Sequence, residues 1–534
     1  MNSSFQILTR RDFLSRSTRL AAAGALAALA DVPFFVKQAL ADGSIGKPLA
    51  NGRVKKLLFV FLRGGNDALN CVAPLEDDAY VRNRPTIAIA KNPSWSYGGG
   101  TPALWTPSGA TGPVYSQFGI PLGNGFAALH PALKFMVPAY NSGELAIIHR
   151  VAYPKQSRSH FDSQVYWETG VPSNSAFREG ILYRAMVESG RARIAPLTGV
   201  SFQSSLPMIL RGSGAAMTNL TSPERYDLSG IPDNAKGGAK ADLFLRAANQ
   251  IPSADKRDRE LLQLQYGNLS DTLALFQDLI AGDFKRQFLD DVDTDGDRPY
   301  NLFPDSNDTN GGWKRTPAND PAKYVVPANT YGFMKNLKSA AVVLNKTDAI
   351  VAGTQLDNFD THSKQGGATG SQARLLQQVG WGMYALKKYF SAYGDKCRWE
   401  DVVVVTLSEF GRTSKENNDN GTDHAEANVM WVAGGGVKGF QAGQRSGVFN
   451  CGPSDPIAWN TGDTGTMFGV EKRYLKRATD YRSVLGELIR DHLGATQEQL
   501  NRIIPGYAQG SEVLKDGGTQ TRDSTRATGE LGLV

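Results

Sequence analysis

A layered α/β fold with a mostly parallel central sheet is what this chain of 534 residues predicts, and three observations carry the expectation. Apolar runs rich in β-branched residues recur along it: KKLLFVFL at 55–62, ELAIIHRV at 144–151, AIVAGTQ at 349–355, DVVVVTL at 401–407 and ANVMWVAGGG at 427–436. They are continuous rather than alternating, the pattern of strands covered on both faces. Between them lie segments of helical period, such as 371–393, where Leu375, Val379, Met383, Leu386 and Phe390 recur every three or four residues. Finally, several of the runs stop at polar clusters, and in sheets of this kind sites form at the carboxyl ends of the strands.

The first element is not part of the fold. TRRDFLS at 9–15 precedes an alanine-rich apolar stretch from Leu20 to Phe35 and a small-residue Ala39-Leu40-Ala41 end. That order is the pattern of a twin-arginine export signal over residues 1–41. Its loss removes five basic and two acidic side chains, so the formal charge of +6 becomes +3. No concentrated basic face remains, which argues against nucleic acid as a partner. No apolar run in the body reaches the ~18 residues of a membrane span. The three cysteines, Cys71, Cys397 and Cys451, lack metal-ligand spacing and allow at most one disulfide.

The folded body is expected over 42–506. The 55–62 strand is followed by RGGNDALN, the 144–151 strand by AYPKQSRSHFDSQ, the 349–355 strand by LDNFDTHSKQ, and the 401–407 strand by SEFGRTSKENNDNGTDHAEAN. Further helices are expected at 254–280 and 480–494. The stretch of about 201–327 has weak strand signals and many Gly, Asn and Asp residues, and reads as an insertion over the site edge. Within it DVDTDGD offers Asp291, Asp293 and Asp295 before a glycine, as a calcium loop would. Its twelfth position is Leu302 where a glutamate is needed, so an acidic turn is the preferred reading. Residues 507–534 are polar and aperiodic, a flexible tail.

Collecting the strand-end groups gives Asp67, Ser159 with His160, Asp360 with His362, Glu409, and Asp423 with His424. Alone, Asp67 reads as a turn residue and Asp423-His424 as an exposed loop pair. Together, carboxylates and imidazoles at one edge make a ligand set for divalent metal ions. Ser159 is placed to cap a helix whose N-terminus favours an anion, either as a nucleophile or only as a cap. His130, His149 and His492 read as structural, His492 at the end of a helix near its terminal dipole.

LLFVFLRGGNDALN, HPAL, YPKQSRSHFDSQVYWETG, FDTHSKQ, VVVVTLSEFGRT, GTDHAEANVMWVAGGGVKG and DYRSVLGELIRDHL, in that order, resemble the DUF1501 family of exported bacterial proteins. That family in turn resembles the alkaline phosphatase and sulfatase superfamily. The resemblance implies an alkaline phosphatase-like α/β/α domain with a large insertion, holding one or two divalent metal ions such as zinc, manganese or iron. By position, Asp67 resembles the early metal ligand, Ser159 the nucleophile, Asp360 and His362 a later ligand pair, and His424, assisted by Asp423, the last histidine ligand. Glu409 stands where the superfamily has Asp followed by His, but Phe410 follows it here. Asp360 and His362 are two residues apart rather than four, and the sulfatase Cys-x-Pro-x-Arg signature is absent.

The function expected is an exported, periplasmic or secreted hydrolase of phosphate or sulfate esters. Its metal ligands would be Asp67, Asp360, His362, Glu409, Asp423 and His424; Ser159 or a water would attack, and His160 or Arg158 would steady the oxygens. The substrate would be a small-molecule or polymer-borne ester, and the twin-arginine translocase a partner during export. The alternative is a non-catalytic exported scaffold that keeps the fold and binds a polymer or a protein.

Overall fold

The computed structural model describes residues 45–95, 97, 117–154, 156–193, 197–213, 215, 217–221, 279, 282–290, 300–305, 330–453, 459–461, 467–469, 473–507 and 530–534. The export signal, the calcium-like Asp291, Asp293 and Asp295, and nearly all of the expected 254–280 helix lie outside them.

Nine strands make the main sheet: β1 Lys56–Leu62, β2 Leu145–Ala152, β3 Gly199–Phe202, β4 Thr218–Leu220, β5 Val351–Leu356, β6 Val402–Leu407, β7 Asn428–Ala433, β8 Val448–Phe449 and β9 Thr479–Asp480. Their order is β8-β2-β7-β6-β1-β5-β3-β4, with β9 also pairing β2. All the pairings are parallel except those of β7, which runs against both β6 and β2. This is a mixed, mostly parallel α/β sheet. β3 and β4 extend the sheet into the stretch that the sequence suggested as an insertion from about 201; at four and three residues they are too short to leave a periodic signal.

The continuous apolar runs have the predicted cause. In β1, Leu58, Val60 and Leu62 face one core, with helices Thr330–Lys346 and Ser371–Ala392 packed over it. Leu57, Phe59 and Phe61 face a second core, closed by helices Ile181–Glu188, Tyr481–Glu487 and Gln497–Ile503. With both faces buried, every position in such a strand favours an apolar side chain, each contributing about 1.5–3 kcal/mol. The expected 480–494 helix is α-helical only to Glu487 and continues as a wider π-turn, Leu488–His492. Within the segment read as a tail, residues 530–534 are docked: Leu533 is buried, and the Leu531 and Leu533 amides donate to the Glu487 carboxylate.

Register sets up the functional edge. Phe61 pairs with Gln355 on one side and Leu407 on the other, so the loops leaving β1, β5 and β6 emerge together. The reversed β7 begins at the same edge, which brings Asp423 and His424 there from the opposite chain direction. Val151 of β2 pairs with Asn428, so the chain leaving β2 toward His160 joins them.

Candidate metal centre

Ser159 caps the helix His160–Thr169, its Oγ accepting from the Asp162 amide at 3.5 Å, so His160 is fixed as the first helical residue. Its Nδ1 lies 2.8 Å from Oε1 of Glu409. That carboxylate, two residues past β6, is fully buried and also accepts from the Gly64 amide at 2.8 Å and Gln164 Nε2 at 3.2 Å. Burial would raise its pKa, but these donors, His160 foremost, hold it below the usual range. The same bond raises the pKa of His160. Gly64 has φ 115°, and a Cβ there would overlap the backbone of Asp360, so only glycine lets the two loops approach this closely.

Asp360, His362 and His424 meet beside it. Asp360 Oδ1 is 2.9 Å from His362 Nε2 and 3.1 Å from His424 Nε2, and the two nitrogens are 3.0 Å apart. His160 Nε2 lies 3.4 Å from the other Asp360 oxygen. One ligand atom each from His160, Asp360 and His424 fall within 4.8 Å of one another. Arg412, buried and anchored on the carbonyls of Gly64, Gly65, Phe359 and Thr422, donates to Asp360 Oδ1 at 2.5 Å. Burial would raise the Asp360 pKa, yet Arg412 and the neighbouring imidazoles bring it down to about 2. Burial and the Arg412 charge lower that of His424.

Each imidazole is held from behind by an acceptor. Nδ1 of His160 faces Glu409, Nδ1 of His362 faces Asp423 Oδ1 at 3.3 Å, and Nδ1 of His424 faces the Arg158 carbonyl at 2.9 Å. An acceptor at Nδ1 puts the hydrogen there and leaves the neutral ring's lone pair on Nε2. All three Nε2 atoms then lie within 3.4 Å of an Asp360 oxygen, and those of His362 and His424 face each other at 3.0 Å. Lone pairs so placed repel unless a proton or a metal ion lies between them. His160 Nε2 and Glu409 Oε2 are also buried without a hydrogen-bond partner.

These residues fit a divalent metal ion. Separations of 2.9–3.1 Å are a few tenths of an ångström under the roughly 3.4 Å edge of a tetrahedral site with bonds near 2.1 Å. Imidazoles braced by carboxylates or carbonyls are the usual outer arrangement of such sites. Three carboxylates (Asp360, Glu409, Asp423) against two guanidiniums (Arg412 and Arg473, the latter 2.9 Å from Asp423) leave one net negative charge for a cation to offset.

Asp360, His362 and His424, all expected as ligands, come together. Glu409 and Asp423 stand one step behind, orienting His160 and His362; Asp423 braces His362 rather than His424. His160, expected only to steady substrate oxygens, has its Nε2 in the ligand cluster. Asp67 is elsewhere: buried, it is paired with Arg84 through contacts of 2.5 and 2.9 Å, because a carboxylate so enclosed needs a fixed counter-charge. Arg158 contributes its carbonyl, while its guanidinium lies 4.5 Å over the Tyr474 ring. Phe410, where a ligand was missing, packs its ring against those of His160 and His424 at 4.7 and 4.6 Å. His130 and His149 are structural, bonding the carbonyls of Gly367 and Ala68. His492 bonds the Lys56 carbonyl rather than its own helix terminus. Sequence reasoning missed Arg412, although a basic residue in SEFGRT beside expected acidic ligands was a signal. The three cysteines are buried, and none of them is in a disulfide. Among the described residues no helix is long and apolar enough to cross a membrane.

Residues 339–449 match the family described as "Protein of unknown function (DUF1501)". That span holds Asp360, His362, Glu409, Arg412, Asp423 and His424, but neither His160 nor Asp67. No curated protein and no solved structure matches the chain.

Proposed function

We propose that this member of the DUF1501 family, a placement resting on residues 339–449, is an exported metal-dependent hydrolase of phosphate or sulfate esters on an alkaline phosphatase-like domain. One divalent ion would be held by His160, Asp360, His362 and His424. The observation that carries this reading is the convergence of three Nε2 atoms on one carboxylate while every Nδ1 is braced from behind. When bound, such an ion supplies Lewis-acid polarisation of an ester oxygen and a more acidic water.

The chain's own groups do the rest. Ser159 Oγ, exposed at a helix N-terminus, is the nucleophile; the helix amides favour an anionic ester there. Attack forms the Oγ–phosphorus or Oγ–sulfur bond as the bond to the ester oxygen breaks, the serine proton leaving with that oxygen as the alcohol, and water then cleaves the Oγ bond, releasing the acid and returning a proton to the serine. Glu409 and Asp423 hold the imidazoles in place, and Phe410 limits water behind them. Export through the twin-arginine route, to the periplasm or beyond, belongs to the same reading.

A second reading, a non-catalytic binding protein, is favoured by Arg412, which already donates to Asp360 and supplies positive charge there. The test is turnover of 4-nitrophenyl phosphate and 4-nitrophenyl sulfate by zinc- or manganese-loaded protein. The hydrolase reading expects turnover that falls at least about 100-fold in Ser159→Ala and in His424→Ala. Stoichiometric metal with no turnover of any ester supports the binding protein.

A further inference from the structure

Behind the metal centre lies a buried polar cluster that touches no candidate ligand atom. Gln365 Oε1 accepts from the Thr361 hydroxyl at 2.9 Å and the Thr422 hydroxyl at 2.7 Å. Its Nε2 donates to Asp67 Oδ2 at 2.6 Å and Gln372 Oε1 at 3.0 Å. Both donors and both lone pairs of the amide are therefore used, in a site where Gln365 and Thr422 are wholly buried.

The two threonines lie on the two ligand-bearing loops. Thr361 stands between Asp360 and His362, and Thr422 lies two residues before His424. Their backbones also meet, the Thr422 amide donating to the Thr361 carbonyl at 3.1 Å. Gly421 permits this, since a Cβ there would overlap the backbone of His362.

The sense of the Gln365 amide is fixed from below. Turned over, its oxygen would face Asp67, which accepts only, so the carboxylate holds the NH2 toward itself and the oxygen toward the threonines. Asp67 is in turn immobile. Arg84 spends all five N–H groups on it, on Asn70, and on the carbonyls of Thr413 and Ser414 in the loop that leads to Asp423.

We infer that Gln365 is the positioning residue of the centre, a clamp that sets the His362–His424 separation, and that Asp67 with Arg84 orients the clamp. Asp67 thus acts on the metal at second remove rather than as a ligand. The inference rests on the metal reading, and the two fail differently.

The experiment measures zinc affinity of the metal-free full chain by chelator competition, and the visible spectrum of its cobalt form, which reports ligand geometry. Variants are Gln365→Met, Thr422→Val, Thr422→Ser and, as a control for general loss of stability, Leu500→Ala in the opposite core. Gln365→Met is expected to weaken zinc binding about 10–100-fold and alter the cobalt spectrum. Thr422→Val should weaken it in the same direction, and Thr422→Ser should restore it to within about twofold of wild type, the hydroxyl being the part that matters. Should Gln365→Met fail to fold, the valine and serine pair alone decides the matter. Wild-type affinity in Gln365→Met or Thr422→Val, or an equal loss in Leu500→Ala, overturns the clamp. A wild-type chain that binds no zinc overturns the centre itself and the clamp with it.

Discussion

At the amino edge of the sheet His492 bonds the Lys56 carbonyl at 2.9 Å, Lys56 Nζ donates to the Leu344 and Thr347 carbonyls at 2.6 and 2.8 Å, and Arg53 Nε meets buried Asp401 at 2.5 Å. At the carboxyl edge, by contrast, three imidazoles bring their Nε2 atoms within 3.4 Å of a single carboxylate, and two of those nitrogens face each other at 3.0 Å. At the amino edge each of these polar groups has a partner of opposite character. The carboxyl edge is held as firmly, but its polar atoms are arranged for something they do not themselves supply. That difference separates a structural polar network from a site, and counts of charged residues would not reveal it.

The largest expected effect is acid sensitivity from the buried imidazoles outside the site. Burial lowers the pKa of His130 and His492 to about 4 and of His149 to about 3, from 6.5 in the unfolded chain. Their contribution to stability is full above pH 6.5, falls as the pH drops below it, and levels off only at the folded values. Each contributes on the order of 3 kcal/mol, so the urea midpoint of the metal-free protein should decline steeply between pH 6.5 and 4. A flat midpoint across that window would contradict the assignment of these rings as buried and neutral.

Next comes the amino-edge ion pair. Asp401→Ala strips Arg53 of its buried partner and the Arg398 amide of its acceptor, and is expected to cost about 3 kcal/mol in chemical denaturation. The matching change at the carboxyl edge behaves differently. His362→Ala in the metal-free protein should stay within about 0.5 kcal/mol of wild type, because the ring is exposed and its loss relieves the facing lone pairs. What it should abolish is the rise in stability that zinc gives wild type, about 2.7 kcal/mol at a hundred times the dissociation constant. Equal metal-free losses in both variants would erase the contrast between the edges. The smallest effect is expected at Phe161, whose ring is exposed beside His160: Phe161→Ser should leave the denaturation midpoint within about 0.5 kcal/mol of wild type.

The five long strands were legible because burial on both faces forbids polar positions, and the edge was legible because four of those strands stop there and the reversed β7 starts there. What the sequence hid was partnership. Asp67 and Asp360 look alike as strand-end carboxylates, yet one is matched by Arg84, seventeen residues on, and the other by Arg412 together with imidazoles from its own loop, a helix start and a third segment. His160 reads as a helix start, and only its 2.8 Å bond to Glu409 turns its Nε2 toward the centre. Gln365 carries no periodic signal, since its four partners come from three loops, one of them the loop after β1, and a helix. Residues 530–534 illustrate the same limit: a five-residue segment is too short to give a period, and its docking depends on a carboxylate more than forty residues earlier.

The most direct measurement is X-ray absorption at the zinc edge of the purified chain after zinc loading, with the metal quantified by elemental mass spectrometry. One zinc per chain with three imidazole nitrogens and one carboxylate oxygen, losing one imidazole in His362→Ala, is the predicted result. Zinc bound by fewer than two imidazoles, or bound equally well after His362 and His424 are both replaced by alanine, would contradict a metal centre at this edge.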